Sequence, residues 1–175
     1  MATLTLADGR RYVGVTLTKP TGYDTGSGVL NVSLASLTAP GFIANAHKQI
    51  NFADWQMGPT GSDTVDIKPL GTKGKSQIFA ASNFGANCTV LRDTDEDGLP
   101  TTNDTLFIAI GAKGVISFWI TRTGPFASEP LAIGDSGFIY ECMSDDPKEQ
   151  EDEADVLKNN VPLTVLSRRP FKITA

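Results

Sequence analysis

The chain has 175 residues, enough for a single domain or one domain with arms, and its 40% hydrophobic residues can supply a substantial core. The net charge of −5 is unevenly placed: residues 145–155 carry −6 and the remainder sums to +1, so broad attraction to nucleic acid phosphate is excluded. No apolar run reaches the roughly 18 residues of a membrane span, and the N-terminus MATLTLADGRR lacks the apolar stretch of an export signal.

Seventeen Gly and ten Pro, spread along the chain, favour short strands joined by turns. Residues 1–40 read as an N-terminal arm with the first strands and little core material. Within it Val13, Val15 and Leu17 alternate as in a strand. Residues 18–28 are loop-like, with Pro20, Gly22, Gly26 and Gly28 as breakers. Leu30, Val32 and Leu34 suit a strand, whereas Leu30, Leu34 and Leu37 suit a helix, so that segment stays open. Residues 41–175 read as the core, beginning with a short strand in GFIANA (41–46). HKQINFADWQMGPTGSD then predicts a long irregular loop, a feature that is usually functional or contacts a partner. Trp55 and Met57 within it are candidate interface anchors, or side chains that fold back onto the core.

From Val65 the period-2 signal sharpens. KSQIFAA places Ser76, Ile78 and Ala80 on one face. ANCTVLRD sets Ala86, Cys88 and Val90 against Asn87, Thr89 and Leu91. VISFWIT groups Ile116, Phe118 and Ile120 opposite Trp119. GFIYECM sets Phe138, Tyr140 and Cys142 against Ile139, Glu141 and Met143. Apolar residues on both faces suit sheets that are packed together and partly covered. Val161, Leu163 and Val165 alternate likewise, with Pro162 restricting that stretch to an edge or a strand start, and FKIT (171–174) reads as a last strand. A single short helix is expected near 103–112, capped by Thr101 with Asp104 or by Asn103, and ended by Gly111 and Gly114. The fold class is therefore mainly β: a sandwich or barrel of antiparallel strands with one short α-helix, an extended N-terminal arm and loops. Cys88 and Cys142 fall in strands and read as free, buried thiols.

Two charged motifs invite a chemical reading. In DTDEDGLPTTND, Asp93, Asp95, Asp97 and Asp104 occupy the first, third, fifth and twelfth places of a calcium loop, with Gly98 sixth. A strand precedes it where a helix belongs, Pro100 sits eighth, and the last ligand is Asp where Glu is usual. A strand-to-helix turn built by Asp-Gly is therefore the favoured reading, calcium being the one cofactor the sequence suggests. The second motif is the acidic run: Asp145, Asp146, Glu149, Glu151, Asp152, Glu153 and Asp155, relieved only by Lys148. It reads as a solvated loop or as an interface element, with Arg168 and Arg169 as candidate partners on another copy. His47 is the sole histidine and has no marked partner. Nothing else converges on a reaction, so no enzymatic activity is expected.

The order GSDTVDIKPL, KSQIFAASNFGANCTVLRDTDEDG, a short helix and KGVISFWITRTG resembles the major tail tube proteins of long-tailed, siphovirus-type phages, particularly those infecting actinobacteria. LADGRRYVGVTLTKP and VPLTVLSRRP are similar to that family too, so the likeness covers most of the chain. The resemblance implies hexameric rings that stack into a hollow tube, with four strands per subunit lining the lumen and loops or arms joining the rings. It also implies DNA passing through without specific binding, and partners in the tape-measure, tail terminator and baseplate proteins. Location would be the virion tail, after assembly in the host cytoplasm, with no membrane association. The acidic run would then face the lumen or a ring-to-ring contact. Two alternatives remain: another virion protein of related fold, such as a tail terminator or decoration protein, and a calcium-dependent β-sandwich binding module.

Overall fold

The computed structural model describes residues 9–24, 28–37, 39–67, 76–150 and 156–175. In chain order its elements are β1 (Arg11–Thr16), β2 (Leu30–Ser33), β3 (Phe42–Ile43), β4 (Gln56–Ile67), β5 (Ser76–Leu91), α1 (Thr105–Ile110), β6 (Ile116–Thr123), β7 (Ser136–Ser144), β8 (Lys148–Gln150) and β9 (Lys158–Thr174). The strands form one sheet in the order β3-β1-β6-β7-β9-β5-β4, with β2 and β8 also joined to β9. Every pairing is antiparallel except that of β2 with β9. The fold is mainly β with one short helix, as the alternation predicts.

The register shows why both faces of the alternating segments are apolar. Val15, Trp119 and Tyr140 are opposite one another across β1, β6 and β7, as are Gly14, Ile120 and Ile139 on the reverse face. On the first face Val13, Val15, Trp119, Tyr140 and Cys142 share a cluster with Cys88, Val90, Val161 and Leu163, and with Leu106 and Ile110 of α1. β1 and β5 are separated by three strands in the sheet yet meet in this cluster, so the sheet rolls over on itself and α1 plugs the fold. On the reverse face Tyr12, Phe118, Ile120, Ile139, Phe171 and Ile173 are covered by Tyr23, Leu30, Val32, Leu37 and Leu131. The N-terminal forty residues therefore hold more core material than expected: β1 feeds both clusters.

β9 serves both faces through one irregularity. Glu141 pairs with Ser167 while Cys142 pairs with Val165, which leaves Leu166 as an extra residue. Such a bulge inverts the facing of everything beyond it. Val161, Leu163 and Val165 thus face the first cluster, and Phe171 and Ile173 face the second. The expected separate strands at 161–166 and 171–174 are one continuous strand of 17 residues. Segment 30–37 resolves into both alternatives, a strand followed by a 3-10 turn over Leu34–Leu37. The GFIANA strand shrinks to two residues.

A buried cation closes one end of the fold. Arg122 donates to the carbonyls of Pro130, Phe126 and Glu129 and to Asp135 Oδ2 at 2.8 Å, so one guanidinium organises the loop between β6 and β7. Beside it Gly137 has no room for a side chain: an added Cβ would lie 1.9 Å from the Thr121 carbonyl oxygen. Because that neighbour is backbone within a ladder, relief requires the strands to part. Gly137→Ala is expected to lower stability by about 2 kcal/mol, read as a fall in the urea midpoint with the slope unchanged.

Candidate assembly surfaces

The feature that departs most from a closed fold is the β4–β5 hairpin. The two strands pair from Gln56 with Asn87 to Ile67 with Ser76. β5 joins β9 only from Ala86 with Leu163 to Leu91 with Lys158. Residues 76–85 therefore have β4 as their sole strand partner, and the outer edge of β4 has none among the described residues. At ~3.4 Å per residue the overhang extends roughly 30 Å beyond the sheet. A two-stranded ribbon is marginal in water on its own, and its unpaired N–H and C=O groups form a template for another chain. Among its described side chains Thr60, Ser62, Asp63, Thr64, Ser82 and Asn83 are all exposed. β9 has a matching gap, since residues 164–170 on the side away from β7 lie between the end of the β5 pairing and the start of the β2 pairing.

The predicted loop across 47–63 is thus replaced by two 3-10 turns, Ala46–Gln49 and Phe52–Asp54, and then by β4 itself. Pro59 is tolerated because β4 is an edge strand, where a missing N–H need not remove a ladder bond. Register shifts flank this stretch, between Pro59 and Gly61 and between Ser62 and Thr64, and they let the ribbon twist. Trp55 and Met57 are half-buried at the hairpin's base and pack against the first cluster, Trp55 lying 5.6 Å from the Trp119 ring centre.

The acidic turn is built by its own side chains. Asp95 Oδ1 accepts from the Asp97 and Leu99 amides at 3.1 and 2.8 Å. Asp104 is turned inward, its side chain fully buried against Arg92 at 2.7 Å, while Arg92 also donates to Asn159 Oδ1 and stacks 3.5 Å over the Phe107 ring. Asp93, Asp95 and Asp97 are not drawn together with Asp104: among the described residues no three acidic, thiol or imidazole groups lie where they could hold a metal ion. The helix is shorter than the expected 103–112, and Asp104 at its start makes no side-chain cap. Gln49 does that work from elsewhere in the chain. Its Oε1 accepts from the Leu106 amide at 2.8 Å, and its Nε2 donates to Asn103 O and Thr105 Oγ1. No local sequence signal could have found a cap 57 residues away.

Of the acidic run, Asp145 and Asp146 are each 2.9 Å from Lys113 Nζ, and the hydrogen bond from that ammonium holds the Asp145 carboxyl below its usual range. Glu149 is exposed on β8, and Glu151, Asp152, Glu153 and Asp155 lie outside the described residues. His47 tilts against Tyr12 and faces the Val13 carbonyl, and burial lowers its pKa. Cys88 and Cys142 are free and buried, and desolvation pushes Cys142 up to about 12.

A family model described as phage tail tube protein matches residues 1–170. The chain belongs to the phage tail tube protein family. It is accordingly a structural protein of the phage tail. Among solved structures, a chain from the "Cryo-EM structure of the anti-feeding prophage (AFP) baseplate, 6-fold symmetrised" is similar, with 10% identity, a TM-score of 0.49 and full coverage of both chains. No curated protein matches the chain.

In this tail tube protein the Arg92–Asp104 pair joins the acidic turn to α1 and β9. Arg92→Ala leaves Asp104 as an uncompensated buried charge, so a loss of about 3–4 kcal/mol is expected by chemical denaturation. A variant of unchanged stability would show that the pair does not hold the turn.

Proposed function

We propose that the chain is a tail tube subunit that associates side by side into hexameric rings, which stack into a hollow conduit for DNA. The observation that carries this reading is the overhanging β4–β5 ribbon, open along both edges among the described residues where it leaves β9. A neighbour's strands would complete its ladder and supply the burial that a lone ribbon lacks. Head-to-tail contacts of this kind close into a ring when the rotation between copies allows it. Six copies per ring is the number the family resemblance implies.

In this reading the chain catalyses no reaction. Its partners are copies of itself, the tape-measure protein around which the tube forms, and the terminator and baseplate proteins at its ends. Assembly takes place in the host cytoplasm. With a body near neutrality and a run of −6, the subunit offers passing DNA no broad cationic track, which suits a conduit.

The test removes the ribbon and keeps the body. Replacing residues 60–83 by an Asn-Gly turn retains the pairings of Met57 with Ala86 and Gly58 with Gly85. The full chain should give rings and tubes by negative-stain microscopy at high concentration. The shortened chain should keep a cooperative thermal transition and remain monomeric. Tubes formed by the shortened chain, or a full chain that stays monomeric even beside its tail partners, would end the proposal.

A further inference from the structure

We propose that Arg11 and Arg168 form a socket for a carboxylate of the acidic run 145–155 on a second copy of the chain, a contact that rests on the self-assembly reading above. The two arginines flank the place where the β4–β5 ribbon parts from the main sheet. There Arg11, Met57, Phe138 and Tyr140 help line a cavity of about 100 Å³, roughly three times the volume of a water molecule in the liquid. It is wide enough for the end of an acidic side chain.

The Arg168 guanidinium carbon lies over the Phe138 ring, 3.6 Å from its centre and 5.6 Å from the Tyr140 ring centre, and the side chain hydrogen-bonds Tyr140. These contacts hold the guanidinium in place, and the donors they leave over can hydrogen-bond a carboxylate. Its Nε is buried and has no hydrogen-bond partner. Arg92 and Arg122 each hold a carboxylate, on Asp104 and Asp135. Neither Arg168 nor the exposed Arg11 holds one among the described residues. A partly buried, positioned cation without an anion is the arrangement a bound acid would complete.

The acid is supplied from the far end of the same sheet. β7 begins at the socket, with Phe138 and Tyr140, and ends at Ser144, directly before the run. β8 then continues away, pairing Glu149 with Asn159 of β9, nine residues from Arg168. At ~3.3 Å per residue the two sites are separated by roughly 20–30 Å. Among the described residues the socket and Glu149 lie toward opposite ends of one subunit's sheet and do not meet within it. They meet when a second copy is placed head to tail, the heterologous geometry from which rings and stacks are built.

The test is charge exchange. At low salt, Arg11→Glu changes an exposed residue at the start of β1 and should leave the monomer's melting temperature intact. It should raise the protein concentration needed for tube formation, followed by light scattering and negative-stain microscopy, by roughly tenfold. Arg168→Gln should act in the same direction. Reversing the run alone (Glu149→Lys, Glu151→Lys, Glu153→Lys) should also impair assembly, and combining that reversal with Arg11→Glu in one chain should restore it. Wild-type assembly with an unchanged threshold for Arg11→Glu would overturn the socket and leave the tube reading standing. Failure of the combined variant to recover would show that the acidic run is not the partner. A wild-type chain that never assembles would remove the tube reading itself, and the socket with it.

Discussion

The structure depends on β9. Its 17 residues hydrogen-bond β7 and β8 along one edge and β5 and β2 along the other. Without it the sheet would fall into a β3-β1-β6-β7 half and a β5-β4 ribbon. The extra residue at Leu166 lets this one strand present Val161 and Leu163 to one cluster and Phe171 and Ile173 to the other. A straight, unbulged strand would bury one set and expose the other. The bulge is therefore what lets Val161 and Leu163 serve one core while Phe171 and Ile173, also at odd-numbered positions of β9, serve the other.

This dependence explains which parts of the fold were legible in the sequence. Strands with apolar residues on both faces announce themselves, and the facing of β6, β7 and the second half of β5 follows directly from alternation. β9 does not announce itself. Pro162 within VPLTVL suggests an edge, yet the strand is central. The contradiction dissolves in the local geometry. The Pro162 carbonyl accepts from the Asp145 amide, and N and C=O of one strand residue point the same way. The missing N–H therefore faces the gap between the end of β7 at Ser144 and the start of β8 at Lys148. A hydrogen-bond vacancy between two short neighbours is invisible in a one-dimensional pattern.

The same limitation applies at the candidate surfaces. Gly58-Pro59 and Gly61 are turn signals in most contexts, but an edge strand tolerates all three, so a loop was expected where β4 runs. The acidic turn was legible as a turn. Its most buried member, Asp104, was not legible as one half of an ion pair, because Arg92 lies across the turn and the pairing depends on how β5 meets α1. Gln49 as the cap of α1 is a third case: polar side chains recruited over long sequence distances leave no periodic trace. What the sequence did disclose was charge, with seven acidic residues in the run and two adjacent arginines in β9.

A subunit of this design has its strongest interactions in the rolled sheet and its weakest in the ribbon that leaves it. Where the ribbon's side chains are described, those exposed include Thr60, Ser62, Asp63, Thr64, Ser82 and Asn83, which bury little apolar area against any partner. Its association must then draw on backbone hydrogen bonds, which are indifferent to side-chain identity. Such bonds give a ladder its cohesion without specifying which edge meets which. Specificity then has to come from a few fixed side chains beside the ladder, and the proposed pairing of charges between copies would supply it, since like charges brought together oppose the wrong orientation. A tail tube protein built on this division has no need of a short conserved motif along its edges. That is the physical reason the proposed assembly surface is so much harder to read from residues than the core.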